Sequence, residues 1–261
     1  MVAQKDRIIF SRRQLQWIMV ISMLADHIAC IFLDPLYVSE GAVVGLPFRI
    51  CFYILHLMGR ISFPLVCFLL VEGIRHTHDW KKYILRMAVF AFLSEIPFDL
   101  AINGKLVDMT SQNILFTLLI GLGMLVFLEQ ASSLPDILLR TRVNVLVVVA
   151  SAFLAFFVRC DYSFWGIFLI LLLYQREVTG KKQFFFMLLL CVCQGVIEVF
   201  AATALFLISH YDGRLNKQDS FVGGGSAVAV REPPFPLFQR YFFYLFYPLH
   251  MLILWGIRNA L

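Results

Sequence analysis

Leu15–Leu33 reads LQWIMVISMLADHIACIFL, and apart from Gln16, Ser22, Asp26 and His27 every residue in it is apolar. At 1.5 Å per residue such a run reaches about 30 Å as a helix, the thickness of a bilayer's hydrocarbon core. Asp26 and His27 therefore stand in lipid-like surroundings, where an ionised side chain costs about 2.5–3.5 kcal/mol on insertion scales. Residues of this kind face one another or a wet interior, which makes them functional candidates. The pattern recurs downstream, where His56, Arg60, Glu95, Glu198 and His250 each interrupt an apolar stretch.

Composition extends that reading to the whole chain. With 61% hydrophobic residues, 27 Phe among 261 residues and a mean hydropathy of +0.82, a soluble globule is excluded. Apolar stretches run over Leu15–Leu33, Phe48–Ile74, Tyr83–Ala101, Asn113–Leu128, Val143–Val158, Ser163–Tyr174, Phe184–Ser209 and Leu237–Ile257. The expectation is an all-α integral membrane protein: one domain over residues 1–261, a polytopic bundle of about eight transmembrane helices with an interior polar cavity. The sixth stretch is short, and the seventh is long enough to be tilted or broken.

The net charge of +5 and pI near 8.9 come from Lys and Arg in short loops, a topological pattern rather than a nucleic-acid surface. Lys5, Arg7, Arg12 and Arg13 precede the first run, which has no small-residue cleavage site and reads as an uncleaved anchor. Alternating the loops from a cytoplasmic N-terminus puts fourteen of the 22 Lys and Arg residues inside, and both termini are then cytoplasmic. The long connection Tyr211–Pro236, with Gly223-Gly224-Gly225-Ser226, is extracytoplasmic and partly flexible on this reading. No internal repeat is evident, which weighs against the many transporters built from related halves. The six cysteines form no CxxC pair; they read as packing residues, with a disulfide among Cys30, Cys51 and Cys160 as the open alternative.

The polar residues also share faces. Arg49, Tyr53, His56 and Arg60 follow i, i+4, i+7, i+11; Glu95 and Asp99, and Gln194 and Glu198, follow i, i+4; Tyr244, Tyr247 and His250 step by three. Such stripes point to a common interior. The structural alternatives are that Arg60 only neutralises Asp26 or Glu95, that Glu198 is a hydrogen-bonded core residue, and that Tyr244 and Tyr247 anchor the interface. Arg75, Lys81 and Lys82 either set topology or receive a phosphorylated donor from the cytosol. His27 has the chemistry of a general base, oriented by a carboxylate, but adjacent helical residues point about 100° apart, so Asp26 is free to serve Arg60 instead. HExxH, Walker and GxSxG motifs are absent, and His27, His56 and His250 lie on three separate stretches, so no metal is expected.

Several strings resemble the TraX family: Asp26-His27; Gly59-Arg60-Ile61-Ser62-Phe63-Pro64; Leu70-Val71-Glu72-Gly73 with His76-Thr77; Ser94-Glu95-Ile96-Pro97-Phe98-Asp99; Gln112-Asn113-Ile114-Leu115-Phe116-Thr117; Asp161-Tyr162-Ser163 with Gly166; and Tyr241 to His250. The resemblance covers about Gln14 to Ile257. It implies a bacterial cytoplasmic-membrane acyltransferase of the kind that acetylates the N-terminal amine of conjugative-pilus pilin, using cytosolic acetyl-CoA as donor. His27 is then the base, and Asp26 and Arg60 complete the catalytic set. Glu95, Asp99, Gln112, Asn113, Asp161, Glu198, Tyr247 and His250 surround the substrate, and Arg75, Lys81 and Lys82 meet the donor. Arg60 or Asn113 stabilises the oxyanion, either in direct transfer or through an acyl-histidine. Some related membrane acyltransferases carry an arginine eleven residues before the histidine; Gln16 stands there in this chain, with Arg12 and Arg13 upstream. The acceptor is open between a pilin N-terminus, another peptide, a glycan and a lipid. The competing readings are a proton-coupled transporter with a relay through His27, Glu95, Glu198 and His250, and an assembly factor without turnover.

Overall fold

Proline, glycine and caps decide where the long apolar runs bend. A computed structural model of the protein describes residues 10–40, 45–175, 181–195, 197–211 and 236–260, with backbone alone for 40 and 236–240. Helix α1 (Arg12–Ile28) opens on a reciprocal cap, in which the Ser11 hydroxyl accepts from the Gln14 amide at 3.3 Å and the Gln14 side chain accepts from the Ser11 amide at 2.8 Å. It passes through a π-helical turn, Ala29–Leu33, into α2 (Asp34–Glu40). Next come α3 (Leu46–Gly59) and α4 (Ser62–His76), then α5 (Trp80–Phe98), which ends in a second π turn at Asp99–Asn103. Helices α6 (Ile114–Ala131) and α7 (Ile137–Phe157) start on the side-chain caps Asn113 and Asp136, and α8 (Ser163–Tyr174) follows. After α9 (Lys181–Gln194) the chain runs through a 3-10 segment, Ile197–Thr203, into α10 (Ala204–Ser209), and α11 (Pro236–Ala260) closes the described chain.

The described residues hold no strand, only two isolated bridges, Phe10 with Tyr211 and Gln112 with Cys160. Four helical runs have the length and hydropathy of a membrane crossing: Arg12–Ser39, Leu46–His76, Ile114–Ala131 and Ile137–Phe157. This is the signature of a multi-pass membrane protein. Helix lies over all the other expected stretches as well, but α8 and the pair formed by the 3-10 segment and α10 are short apolar pieces. The seventh stretch is broken rather than tilted: Gly195, at φ 144, separates α9 from the 3-10 segment. Gly223 to Ser226 lie outside the described residues. All six cysteines are free, so the disulfide alternative is not realised; Cys51 is exposed, whereas Cys160 is buried.

The outer surface is apolar. On α7 only Ala152 and Ala155 are buried, while Leu146, Phe153 and Phe157 are more than half exposed, an arrangement lipid stabilises and water would not. Inside, α1 packs on α3 and α4, α5 on α6 and α11, and α8 on α4 and α6. Small residues set the closest approaches: a Cβ on Gly166 would strike Thr117 and Phe63, so α8 lies directly on α6 and α4. On the α5–α6 loop, the Lys105 ammonium at 2.8 Å, aided by Thr110, holds the Asp108 carboxyl down to about 2. Gly166→Val should lower stability by about 1–3 kcal/mol through overpacking. Reversible unfolding in detergent micelles measures this, and an unchanged midpoint would contradict the close α6–α8 contact.

Candidate functional site

The α3–α4 run breaks because Pro64, in the first turn of α4, has no amide proton to give the Arg60 carbonyl. The Met58 carbonyl beside the break accepts from the Ile61 amide at 3.3 Å and from the Ser22 hydroxyl at 2.7 Å, and the Gly59 carbonyl accepts from Ser62 at 2.8 Å. Gly59 lies against Asp26 so closely that a Cβ there would overlap the carboxylate. Arg60 consequently meets Asp26 at 2.9 Å through Nη2, and Glu198 at 2.6 Å and the Tyr162 hydroxyl at 3.3 Å through Nη1. These four residues come from α1, the α3–α4 break, the α7–α8 loop and the 3-10 segment. His56 extends the network, with Nδ1 3.3 Å from Asp26 and Nε2 2.9 Å from Asp34.

On the other side of α1 lies a separate pair. His27 Nδ1 is 2.7 Å from His250 Nε2, and His250 Nδ1 is 2.7 Å from the Phe246 carbonyl oxygen. The carbonyl can only accept, so His250 carries its proton on Nδ1 and presents a bare Nε2. His27 then donates from Nδ1, and its own Nε2 keeps the lone pair, the state required of a general base. A histidine, not a carboxylate, orients His27. Phe246 stacks on His250 at 4.5 Å, and Tyr247 meets His27 edge-on at 5.9 Å.

A cavity of about 310 Å³ runs up α1 beneath this pair. Arg12, Gln16, Met19 and Met23 line it at steps of four, three and four, one face of the helix, and one turn further on, that face passes between Asp26 and His27. Arg86, Tyr83 and Gly73 stand around its basic end, and Leu118, Tyr244 and Tyr247 complete its walls.

The family model for the TraX protein matches residues 11–258, nearly the whole chain. The chain belongs to the TraX family. A probable fimbrial assembly protein FimC, serogroup H1, from Dichelobacter nodosus is 27% identical over 272 residues, covering 94% of this chain and 94% of that protein. No solved structure matches the chain at a significant level.

The TraX-like strings divide between the two networks and the scaffold. Glu95 accepts from the Asn113 amide at 3.2 Å and also from its side chain; Asn113 caps α6 through Leu115 at 2.9 Å and reaches the Ala91 carbonyl at 2.9 Å. Asp99 holds the Asp108 amide at 2.7 Å and Asn103 at 3.3 Å. Gln112 acts through its backbone, clamping Arg159 and Asp161 at 2.9 Å each and so presenting Tyr162 to Arg60. Asp161 caps the Tyr162 amide at 3.0 Å, and its carbonyl accepts from Thr117. Glu95, Asp99, Gln112 and Asn113 thus hold helices and loops together and do not meet His27. A continuous relay through Glu95, Glu198, His27 and His250 is not formed: Glu95 is tied to Asn113 and Glu198 to Arg60.

Two further expectations change. Arg49 and Tyr53 are exposed, because the face of α3 that points inward narrows to His56 and the Arg60 break. Arg75 pairs with Glu72 at 3.3 Å and the Tyr174 carbonyl at 2.8 Å, Lys82 with Asp79 at 3.0 Å, and Lys81 lies over the Trp80 ring. The cations lining the cavity are Arg12 and Arg86 instead. Tyr162, Asp34 and Cys30 escaped sequence reasoning, although Asp26, Cys30 and Asp34 recur every four residues. Arg60→Ala should destabilise the fold by about 3–5 kcal/mol, since it leaves Asp26 and Glu198 buried without a counter-charge. Thermal unfolding in detergent measures the loss, and Glu198→Gln in the Arg60→Ala background should recover part of it.

Proposed function

We propose that this TraX-family chain is a membrane-embedded acyltransferase that moves an acetyl group from cytosolic acetyl-CoA to an amine or hydroxyl of an acceptor reached from the membrane or the outer side. The single observation that supports it most is the tautomer-fixed pair of His27 and His250 standing one helical turn beyond the cavity lining on α1. The fimbrial-assembly name of the FimC relative favours a pilin-type N-terminal amine as acceptor. In this reading the chain crosses the bacterial cytoplasmic membrane seven times, through α1, the α3–α4 run, α5, α6, α7, α8 and α11. The bridge of Phe10 with Tyr211 returns the seventh stretch to the face from which α1 starts, and Trp17 beside Phe242 with His27 beside His250 sets α11 parallel to α1. The start of α1 and the end of α11 therefore face opposite sides rather than both the cytoplasm, and Tyr211 lies on the cytoplasmic side instead of opening an outer loop.

The donor's phosphates stay at the basic end beside Arg12 and Arg86 while its thioester arm enters between Met19, Met23 and Leu118. Gln16, in place of the arginine of related enzymes, shares that wall with Arg12 one turn below. His27 Nε2 takes the proton of the incoming amine as its nitrogen attacks the thioester carbonyl, and Nδ1 stays bonded to His250. The tetrahedral oxyanion collapses, the carbon–sulfur bond breaks, and the leaving thiolate takes the proton back from His27. Arg60, tied to Asp26 and Glu198, holds α1 against the α3–α4 break and so fixes the direction in which the adjacent His27 points.

Purified protein incubated with acetyl-CoA and a pilin N-terminal peptide should release free CoA thiol and yield acetylated peptide. His27→Ala should reduce the rate about 10²–10⁴-fold. His250→Phe, which removes the acceptor for His27 Nδ1, should lower kcat with little change in the KM for acetyl-CoA. A folded His27→Ala protein with the full rate would end this assignment.

A further inference from the structure

The outward end of α1 carries a second chemical grouping that acyl transfer does not use. The π turn at Ala29–Leu33, bonded i to i+5, re-aims the residues after Asp26 so that Cys30 and Asp34 face the same imidazole as Asp26 does. One ligand atom each from Asp26, Cys30 and His56 lies within 4.8 Å of the other two. Bonds of about 2.0–2.3 Å in a tetrahedral zinc site place ligand atoms roughly 3.3–3.8 Å apart, so modest side-chain adjustment closes the set.

Hydrogen-bond chemistry singles out the same point. Asp34 accepts from His56 Nε2 at 2.9 Å, so in the neutral ring the lone pair sits on Nδ1. Nδ1 faces the Asp26 carboxylate at 3.3 Å, the longer of the two contacts His56 makes. In that neutral form two acceptors face one another, a contact that either a second ring proton or a metal ion relieves. A carboxylate holding the far nitrogen of an imidazole is also the arrangement that orients metal-bound histidines. Charge points the same way: Asp26, Asp34 and Glu198 oppose the single guanidinium of Arg60, a deficit of positive charge at the edge of lipid. Asp26 meets Arg60 through Oδ1, leaving Oδ2 for a ligand bond. Asp34, whose side chain is 42% exposed, marks the entry path.

We infer that Asp26, Cys30 and His56 form a binding site for a divalent transition-metal ion of the zinc type, with Asp34 positioning His56. Cys30 binds as the thiolate and releases its proton on coordination. Three protein ligands leave a fourth position for water. The inference is independent of acyl transfer, and its test reads metal alone.

Full-length protein carrying no polyhistidine tag is purified in detergent without chelator, its zinc is counted by mass spectrometry, and it is then stripped and titrated with cobalt(II). The expected result is close to one zinc per chain and a cobalt–thiolate charge-transfer band in the near ultraviolet. Cys30→Ser should abolish that band, and Asp34→Asn should weaken cobalt affinity about 10–100-fold. Cys191→Ser, a buried cysteine on α9, should change neither. Cobalt that gives no thiolate band with the unaltered chain, or a band that survives Cys30→Ser, overturns the site and identifies His56 as an imidazolium bridging two carboxylates.

Discussion

One guanidinium holds the two halves of the interior together. Arg60 sits where the α3–α4 run is interrupted, and it draws Asp26 from α1 and Glu198 from the broken seventh stretch to within 3 Å. In lipid neither carboxylate has water to fall back on, so the ion pairs are obligatory once the residues are present. Every local irregularity nearby serves this contact. Pro64 opens the helix, Gly59 lets Asp26 come close, Ser22 and Ser62 satisfy the carbonyls left by the break, and the Gln112 clamp brings Tyr162 to the same guanidinium.

Asp26 and His27 then divide the labour of adjacent positions. The 100° between neighbouring helical residues sends Asp26 to the Arg60 network and His27 to His250. The first network fixes the rotation of α1; the second stands one helical turn beyond the lining of the cavity that follows the same helix from Arg12. A polar network that rigidifies a helix and a weakly basic group that needs a fixed direction are complementary uses of one turn of chain.

Membrane helicity was legible throughout. Each apolar stretch is helical because a backbone in lipid must satisfy its own hydrogen bonds, and a run of Leu, Ile, Val and Phe leaves no other way. The strings with embedded charge led to the right family, and the pairing of Asp26 with Arg60 was foreseeable from the 100° rule. Polarity at depth does not by itself mean nearness to the His27–His250 pair. Asn113, Glu95 and Asp99 are buried because they cap α6 and pin the α5–α6 loop, a task that a one-dimensional pattern does not separate from binding. Arg75, Lys81 and Lys82 looked like a donor surface, yet each has a partner close by in sequence or an adjoining helix.

The residues by themselves determined an all-helical membrane chain of the TraX family with costly polar groups inside its apolar runs, since hydropathy and local spacing are properties of the covalent order. Which of those groups meet was decided only by tertiary structure. A helix break at Arg60, a π turn after Ile28 and a 3-10 segment at Glu198 each rotate the chain by an amount that a fixed period of 3.6 residues does not record. Those rotations join His27 to a histidine 223 positions away instead of to its neighbouring carboxylate, and bring Cys30 beside His56.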